Sequence, residues 1–200
     1  MTKKVFRLGL TGSIGMGKST TARFFSELGC PVWDADAAVH RIYAKGGAAV
    51  APISAALPDA IEDGAVSRDR LKELIAQDTS VLSTIEKIVH PLVAQDRAEF
   101  INETDSEILV FDIPLLFETG GDAAMDAVIC VSVSPELQRS RVLERGTMSE
   151  SQFEHIWSKQ MPNEEKRALS DYVVETDTLD HARSQVEKIV KTIRGQLDHA

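Results

Sequence analysis

A short β-branched and leucine-rich run, Val5 to Thr11, leads directly into Gly12-Ser13-Ile14-Gly15-Met16-Gly17-Lys18-Ser19-Thr20. The spacing Gly-x-x-x-x-Gly-Lys-Ser allows this part of the chain one arrangement: a strand, a tight backbone loop and a helix. Glycines at 12, 15 and 17 permit positive φ and let the backbone approach a ligand with no Cβ in between. Successive N–H groups then form an anion nest at a helix N-terminus. Lys18 is placed to reach the β- and γ-phosphates of a nucleotide, and Ser19 to offer its hydroxyl to Mg²⁺. A glycine-rich turn without a ligand would not need that lysine and serine. Gly12 through Thr20 are therefore the candidate nucleotide-binding residues.

Phosphate must be held locally, because the chain as a whole repels it. Lys and Arg number 22 against 31 Asp and Glu, a formal net charge of −9. The acidic balance argues against wrapping nucleic acid or lying on an anionic membrane. There is also no run of about 18 apolar residues to span a bilayer. Lys3 and Lys4 mimic the start of a signal peptide, but Arg7 interrupts the apolar stretch. The two cysteines, Cys30 and Cys130, lie beside or within apolar runs and lack zinc-ligand spacing. They read as buried reduced thiols, which points to the cytoplasm. The hydrophobic fraction of 43% supports one sizeable core with small insertions.

Further strands are expected at Pro31–Trp33, Ile108–Phe111, Ala127–Val133 and, more weakly, Tyr172–Val174. They are continuous apolar runs, as in parallel sheets covered on both faces, and helical segments separate them. The first helix carries Ala22, Phe25 and Leu28 on one face and stops at Gly29. The last carries a stripe from Ala182 to Leu197. The expected organisation is a nucleotide-binding core of residues 1–36, 105–136 and 169–200. A helical insertion, 37–104, bears the acceptor, and a polar insertion, 137–168, serves as a mobile lid. Within the helical insertion, Val81–Val89 and Pro91–Asn102 read as two helices meeting at His90-Pro91.

Several polar residues fall where phosphoryl-transfer chemistry needs them. Asp112 closes an apolar strand, as a carboxylate holding a Mg²⁺ shell does, or as one capping the turn before Pro114. Asp34 and Asp36 follow the second strand. If the segment stays extended they point to one side, one capping or contacting metal and the other accepting a hydroxyl proton. Position favours Asp36 as the base. Arg141 and Arg145 share a helix face and suit the neutralisation of a transferring phosphoryl group, or else form surface pairs with Glu136 and Glu144. Trp33 and Trp157 read as packing residues.

Taken together these segments resemble the dephospho-CoA kinase family. The resemblance rests on Leu10 to Ser19, Asp34-Ala35-Asp36 with His40, His90-Pro91-Leu92, and Pro114-Leu115-Leu116-Phe117-Glu118. It continues through Ser134-Pro135-Glu136 with Arg139, Arg141 and Arg145, and ends in Gln160-Met161-Pro162. It implies a three-layer α/β P-loop kinase core with a five-stranded parallel sheet, a helical CoA domain and a lid. It also implies transfer of the ATP γ-phosphoryl group to the 3′-hydroxyl of dephospho-CoA, the final step of CoA biosynthesis, by a monomer or weak homo-oligomer. By motif, Asp36 is the base, Thr11 lies near the phosphates, Arg141 stabilises charge and Arg145 lies near the nucleotide. Asp34, His90, Pro114, Leu115, Leu116 and Glu118 border the acceptor. Two departures stand out: Met16 where the family often has Ser, and Glu175-Thr176-Asp177-Thr178 where an Asn-containing turn is usual beside the adenine. Another small-molecule kinase on the same fold would differ in its acceptor residues. A GTPase-like switch would want an Asn-Lys-x-Asp motif, which does not occur.

Overall fold

The computed structural model describes residues 5–146 and 148–199; Lys3 and Lys4 lie outside the described residues. In chain order the strands are β1 (Phe6–Thr11), β2 (Val32–Asp34), the short β3 (Ile61–Glu62) and β4 (Ala65–Val66), β5 (Ile108–Asp112), β6 (Ala127–Ser132) and β7 (Tyr172–Glu175). The helices are α1 (Lys18–Glu27), α2 (Ala35–Tyr43), α3 (Val50–Ala56), α4 (Arg68–Gln77), α5 (Ser80–Glu103), α6 (Pro135–Glu144), α7 (Glu150–Trp157), α8 (Asn163–Leu169) and α9 (Leu179–Leu197). Two compact units result, one of residues 1–33 and 105–200, the other of residues 34–104.

The first unit is built on a five-stranded sheet in the order β2-β5-β1-β6-β7. The ladders of β1 with β5, β1 with β6, and β6 with β7 are parallel; Leu8 stands opposite Val110 on one side and Ala127 on the other. Every residue of β5 and β6 is buried, which is why these strands show no polar alternation. Leu8, Leu10, Val110, Ile129 and Val131 pack with Phe24 and Phe25 of α1 and Val186 and Ile193 of α9. Residues of the opposite parity face the other way. There Leu116 fits over Gly9, and the Cys130 thiol lies 3.8 Å from Asn163 Oδ1 of α8. Gly29, in the left-handed region at φ 76°, follows the end of α1. Trp33 is 3% exposed and packs tilted on Phe111 at 6.2 Å, whereas Trp157 is 53% exposed and is not a packing residue.

The second unit closes on its own core of Ile42, Tyr43, Ile53, Val66, Leu71, Ile85 and Val89. Its β3 and β4 are joined through Asp63 and Gly64, both at positive φ (50° and 80°), a two-residue hairpin turn of the Asp-Gly kind. The expected break at His90-Pro91 is absent: α5 runs through it as one helix of 24 residues. Proline inside a helix forfeits a backbone bond and crowds the carbonyl four residues back, at a cost of about 3 kcal/mol. Apolar residues on both sides offset that cost, because Ile85 and Val89 before the proline and Leu92 and Val93 after it pack on the same core. His90 and Pro91 themselves are exposed.

Pro91→Ala is therefore expected to raise stability by about 1 kcal/mol or more, since the N–H is restored and nothing buried is lost. Urea denaturation checks this, and a destabilised variant would show that the ring is needed for the helix path.

Candidate active site

The phosphate loop sits at the carboxyl end of the central strand. A Cβ on Gly12 would stand 2.3 Å from Val131 Cγ2, and one on Gly15, at φ 79°, 2.5 Å from Val142 Cγ2. The loop is thus packed from below by β6 and α6 and has room only for bare backbone. Helix α1 opens on Gly17, which has no side chain to cap it, so its leading N–H groups stay available to an anion. The loop side chains divide by role. Met16 is 2% exposed, and its thioether accepts from the Val133 N–H at 3.3 Å. The substitution away from serine is thus a core contact and leaves the anion-facing backbone unchanged. Ser13 is buried, Ile14 and Thr20 are half-buried, and Ser19 is exposed in the first turn of α1.

Lys18 is ion-paired with Asp112, whose side chain is 3% exposed. The ammonium offsets part of the cost of burying that carboxylate. Thr11, fully buried, donates its hydroxyl to the Pro114 carbonyl at 3.0 Å. The same carbonyl accepts from the ammonium of Lys166 at 3.0 Å. Lys166 is fully buried and pairs with Glu118 at 2.9 Å; the Glu118 side chain is 19% exposed. Glu118 also accepts from the Met161 N–H at 2.9 Å. Burial pushes the Glu118 pKa up, but the Lys166 hydrogen bond, the backbone N–H groups and the Lys166 charge outweigh it and hold the carboxyl below its ordinary range. Within the Pro114–Glu118 segment, Leu115 is exposed at 43%, whereas Leu116 is fully buried. Leu116, expected to border the acceptor, is packing beneath Gly9 because β1 has no side chain there.

Beside the loop, Gly17, Thr20, Thr21, Arg141, Arg145 and Thr176 belong to the lining of a cavity of about 220 Å³. Arg141 donates to the Thr176 carbonyl at 2.6 Å and to its hydroxyl at 3.1 Å, and Arg145 caps the end of α6. Both arginines thus line the same cavity beside Gly17, with Arg141 bound to the turn after β7. Thr176 explains the departure from an Asn-containing turn in part. It is 6% exposed and donates to the Met16 carbonyl at 2.8 Å, so it buttresses the loop. Burial pushes the Cys130 thiol up to about 11, so it stays protonated at neutral pH.

Within the second unit, Asp34 accepts from the Ala37 N–H at 2.9 Å as the N-cap of α2. The chain turns helical at Ala35, so Asp34 and Asp36 do not share one side of an extended strand. Asp36 lies exposed in the first turn of α2. His90 is on the surface of α5.

A sequence profile of dephospho-CoA kinase matches residues 6–181. The chain belongs to the dephospho-CoA kinase family. A Ruegeria pomeroyi protein named dephospho-CoA kinase is 67% identical over 98% of this chain and 99% of its own. A crystal structure from Thermus thermophilus superposes with a TM-score of 0.86 at 29% identity, covering 95% of this chain and 98% of that one. A dephospho-CoA kinase from Campylobacter jejuni, at 23% identity and TM-score 0.68 over 95% and 98% of the two chains, shares the fold.

Sequence reasoning had no role for Lys166, Thr176, Gln138 or Gln160. Lys166 and Gln138 sit in polar stretches that read as solvated faces, Gln160 and Thr176 were noted only as parts of motifs, and the partners of all four lie far away in the chain. In this member of the dephospho-CoA kinase family, Glu118→Leu removes the carboxylate facing a buried ammonium and is expected to cost about 3–5 kcal/mol. Adding Lys166→Met should recover more than half of that in urea denaturation. Because the folded pKa of Glu118 lies below its unfolded value, the wild-type advantage is complete above the ordinary glutamate pKa of about 4.3. It is lost as pH falls through the lower folded value. An advantage that grew on acidification would refute the pairing.

Proposed function

We propose that this protein transfers the γ-phosphoryl group of ATP to the ribose 3′-hydroxyl of dephospho-CoA, giving CoA and ADP. The observation that carries this reading is the end-to-end match to the dephospho-CoA kinase family, on a chain that keeps the phosphate loop intact. The 3′-oxygen attacks the γ-phosphorus, the bond from that phosphorus to the β–γ bridging oxygen breaks, and ADP leaves. Asp36 takes the hydroxyl proton. This assignment draws support from Asp34, whose Oδ1 is engaged as a helix cap while Asp36 stands exposed. The loop N–H groups and Lys18 hold the β- and γ-phosphates. Arg141 exchanges its carbonyl partners for phosphoryl oxygens, with α7 the part of segment 137–168 that closes as a lid, since Gln138 of α6 and Gln160 already hold the loop. Thr11 and the Pro114–Glu118 segment shape the acceptor side, with Leu115 the exposed apolar residue there.

Mg²⁺ fits the donors at hand. The Ser19 hydroxyl and Asp112 carboxylate are hard oxygens, and among the described residues no cluster of three or more His, Cys, Asp or Glu is arranged to hold a metal by itself. That suits an ion held largely by substrate phosphates and water. When bound, it would neutralise charge on the β- and γ-phosphate oxygens. Lys18, now paired with Asp112, would turn to the phosphates. Among the described residues no helix is long and apolar enough to cross a membrane, and the two free, buried cysteines support a reducing cytoplasm.

The decisive assay mixes protein, Mg-ATP and dephospho-CoA and follows ADP and the new 3′-phosphate, with nucleoside monophosphates and small sugar acids in parallel. Asp36→Asn is expected to lower kcat by roughly 10²–10⁴ while ATP affinity stays near wild type. Lys18→Ala should weaken both ATP binding and turnover. Full kcat in Asp36→Asn would remove it from the base role, and turnover confined to another alcohol would overturn the substrate.

A further inference from the structure

The Gln160-Met161-Pro162 turn has no role in the reading so far, yet it reaches the phosphate loop directly. Gln160 Oε1 accepts from the Ile14 N–H at 3.1 Å. On the other side of the same residue, Gln138 Nε2 donates to the Ile14 carbonyl at 2.7 Å. Ile14 is thus held at both backbone groups by amide side chains, one from α6 and one from the turn after α7. The neighbouring residues of the turn are fixed too. The Met161 N–H donates to Glu118, and the Pro162 carbonyl accepts from the Glu165 and Lys166 N–H groups as α8 begins. The turn is therefore tied to the phosphate loop at one residue and to the Pro114–Glu118 segment at the next.

We propose that Gln160 is a positioning residue for the phosphate loop. Paired with Gln138, it fixes the orientation of the backbone at Ile14 so that the following N–H groups are already aimed at phosphate before ATP arrives. The physical reason is that Gly12 and Gly15 on either side leave the backbone many conformations. A loop that must order itself on binding loses affinity to that ordering. A neutral amide performs this task without adding charge; a carboxylate would hold the same N–H but repel the triphosphate. The inference rests on the kinase reading above for what the loop binds.

The test compares Gln160→Met, similar in length but without the oxygen acceptor, with Gln160→Glu, which keeps it. ATP binding is measured by calorimetry without acceptor, kinetics with dephospho-CoA, and amide exchange at Ile14 in the nucleotide-free protein. Gln160→Met is expected to weaken ATP binding and raise its KM about three- to tenfold. KM for dephospho-CoA should stay within about twofold, and exchange protection at Ile14 should be lost. Gln160→Glu should restore that protection while still binding ATP more weakly than wild type. A Gln138→Met, Gln160→Met double variant should show less than additive loss, because both side chains act on one residue. Unchanged ATP binding, or retained Ile14 protection, in Gln160→Met overturns the assignment. If that variant does not fold, loss of Ile14 protection in Gln160→Glu does so. Calorimetry does not depend on the acceptor, so a wild type that binds ATP with this Gln160 dependence yet leaves dephospho-CoA untouched would overturn the substrate and spare the positioning role.

Discussion

A loop that binds phosphate through its backbone must be kept bare and kept still, and those demands shape the first unit. Bareness comes from glycine, enforced by Val131 under Gly12, Val142 under Gly15 and Thr176 under Gly17. Stillness comes from the same neighbours, which belong to β6, α6 and the turn after β7. The loop is thus one of the first parts of the chain to be made, and its shape is imposed by parts made much later. Sheet topology allows this. From β1 the chain fills one side of the sheet with β2 and β5 and then crosses to β6 and β7. The reversal beside β1 opens the crevice at the carboxyl ends of the strands where ligands of α/β sheets are received.

The ends of β1 and β5 are also where the buried charges concentrate. Asp112 is tolerable at its depth because Lys18 stands against it, and Lys166 because Glu118 and the Pro114 carbonyl do. Such pairs contribute little net stability, since desolvation consumes most of the attraction. They do make alternatives costly: moving the Pro114–Glu118 segment away from α8 would strand an ammonium with no water to receive it. Thr11 donates to the same Pro114 carbonyl, which extends that constraint to the last residue of β1.

What the sequence disclosed and what it hid follow a physical divide. The loop was legible because its chemistry is local: glycine spacing, a lysine and a serine within eight residues specify the cradle. The strands were legible because burial on both faces leaves continuous apolar runs, and the end of α1 because Gly29 acts on its own helix. The Asp63-Gly64 turn was equally local and could have been found from the dipeptide alone. The continuous α5 was hidden because a rule about proline speaks of local cost, and here the core of the second unit overrides it. Leu116 looked like an acceptor residue because its neighbours in sequence do; only the glycine at position 9 of a different strand shows that it points inward. Lys166 was hidden most completely. A lysine among glutamates reads as solvated, and nothing nearby reveals that its partners lie 48 and 52 residues earlier.

The acidic balance of the chain bears on how such a site gains affinity. With a net charge of −9, long-range attraction cannot draw a polyanion in, so binding has to come from groups within hydrogen-bond reach. Most cations near the loop are already engaged, Lys18 with Asp112 and Arg141 with the carbonyls of Thr176 and Asp177. An incoming phosphate therefore has to replace existing partners, and only a ligand offering several oxygens in the right arrangement can satisfy both arginine and lysine together. Apart from those of Ile14 and Met16, which are bonded to Gln160 and to the Ser13 carbonyl, the loop's backbone N–H groups are the exception, because they carry no counter-charge to displace. That gives weight to the orientation of the loop backbone, at whose Ile14 Gln138 and Gln160 bond both the carbonyl and the N–H.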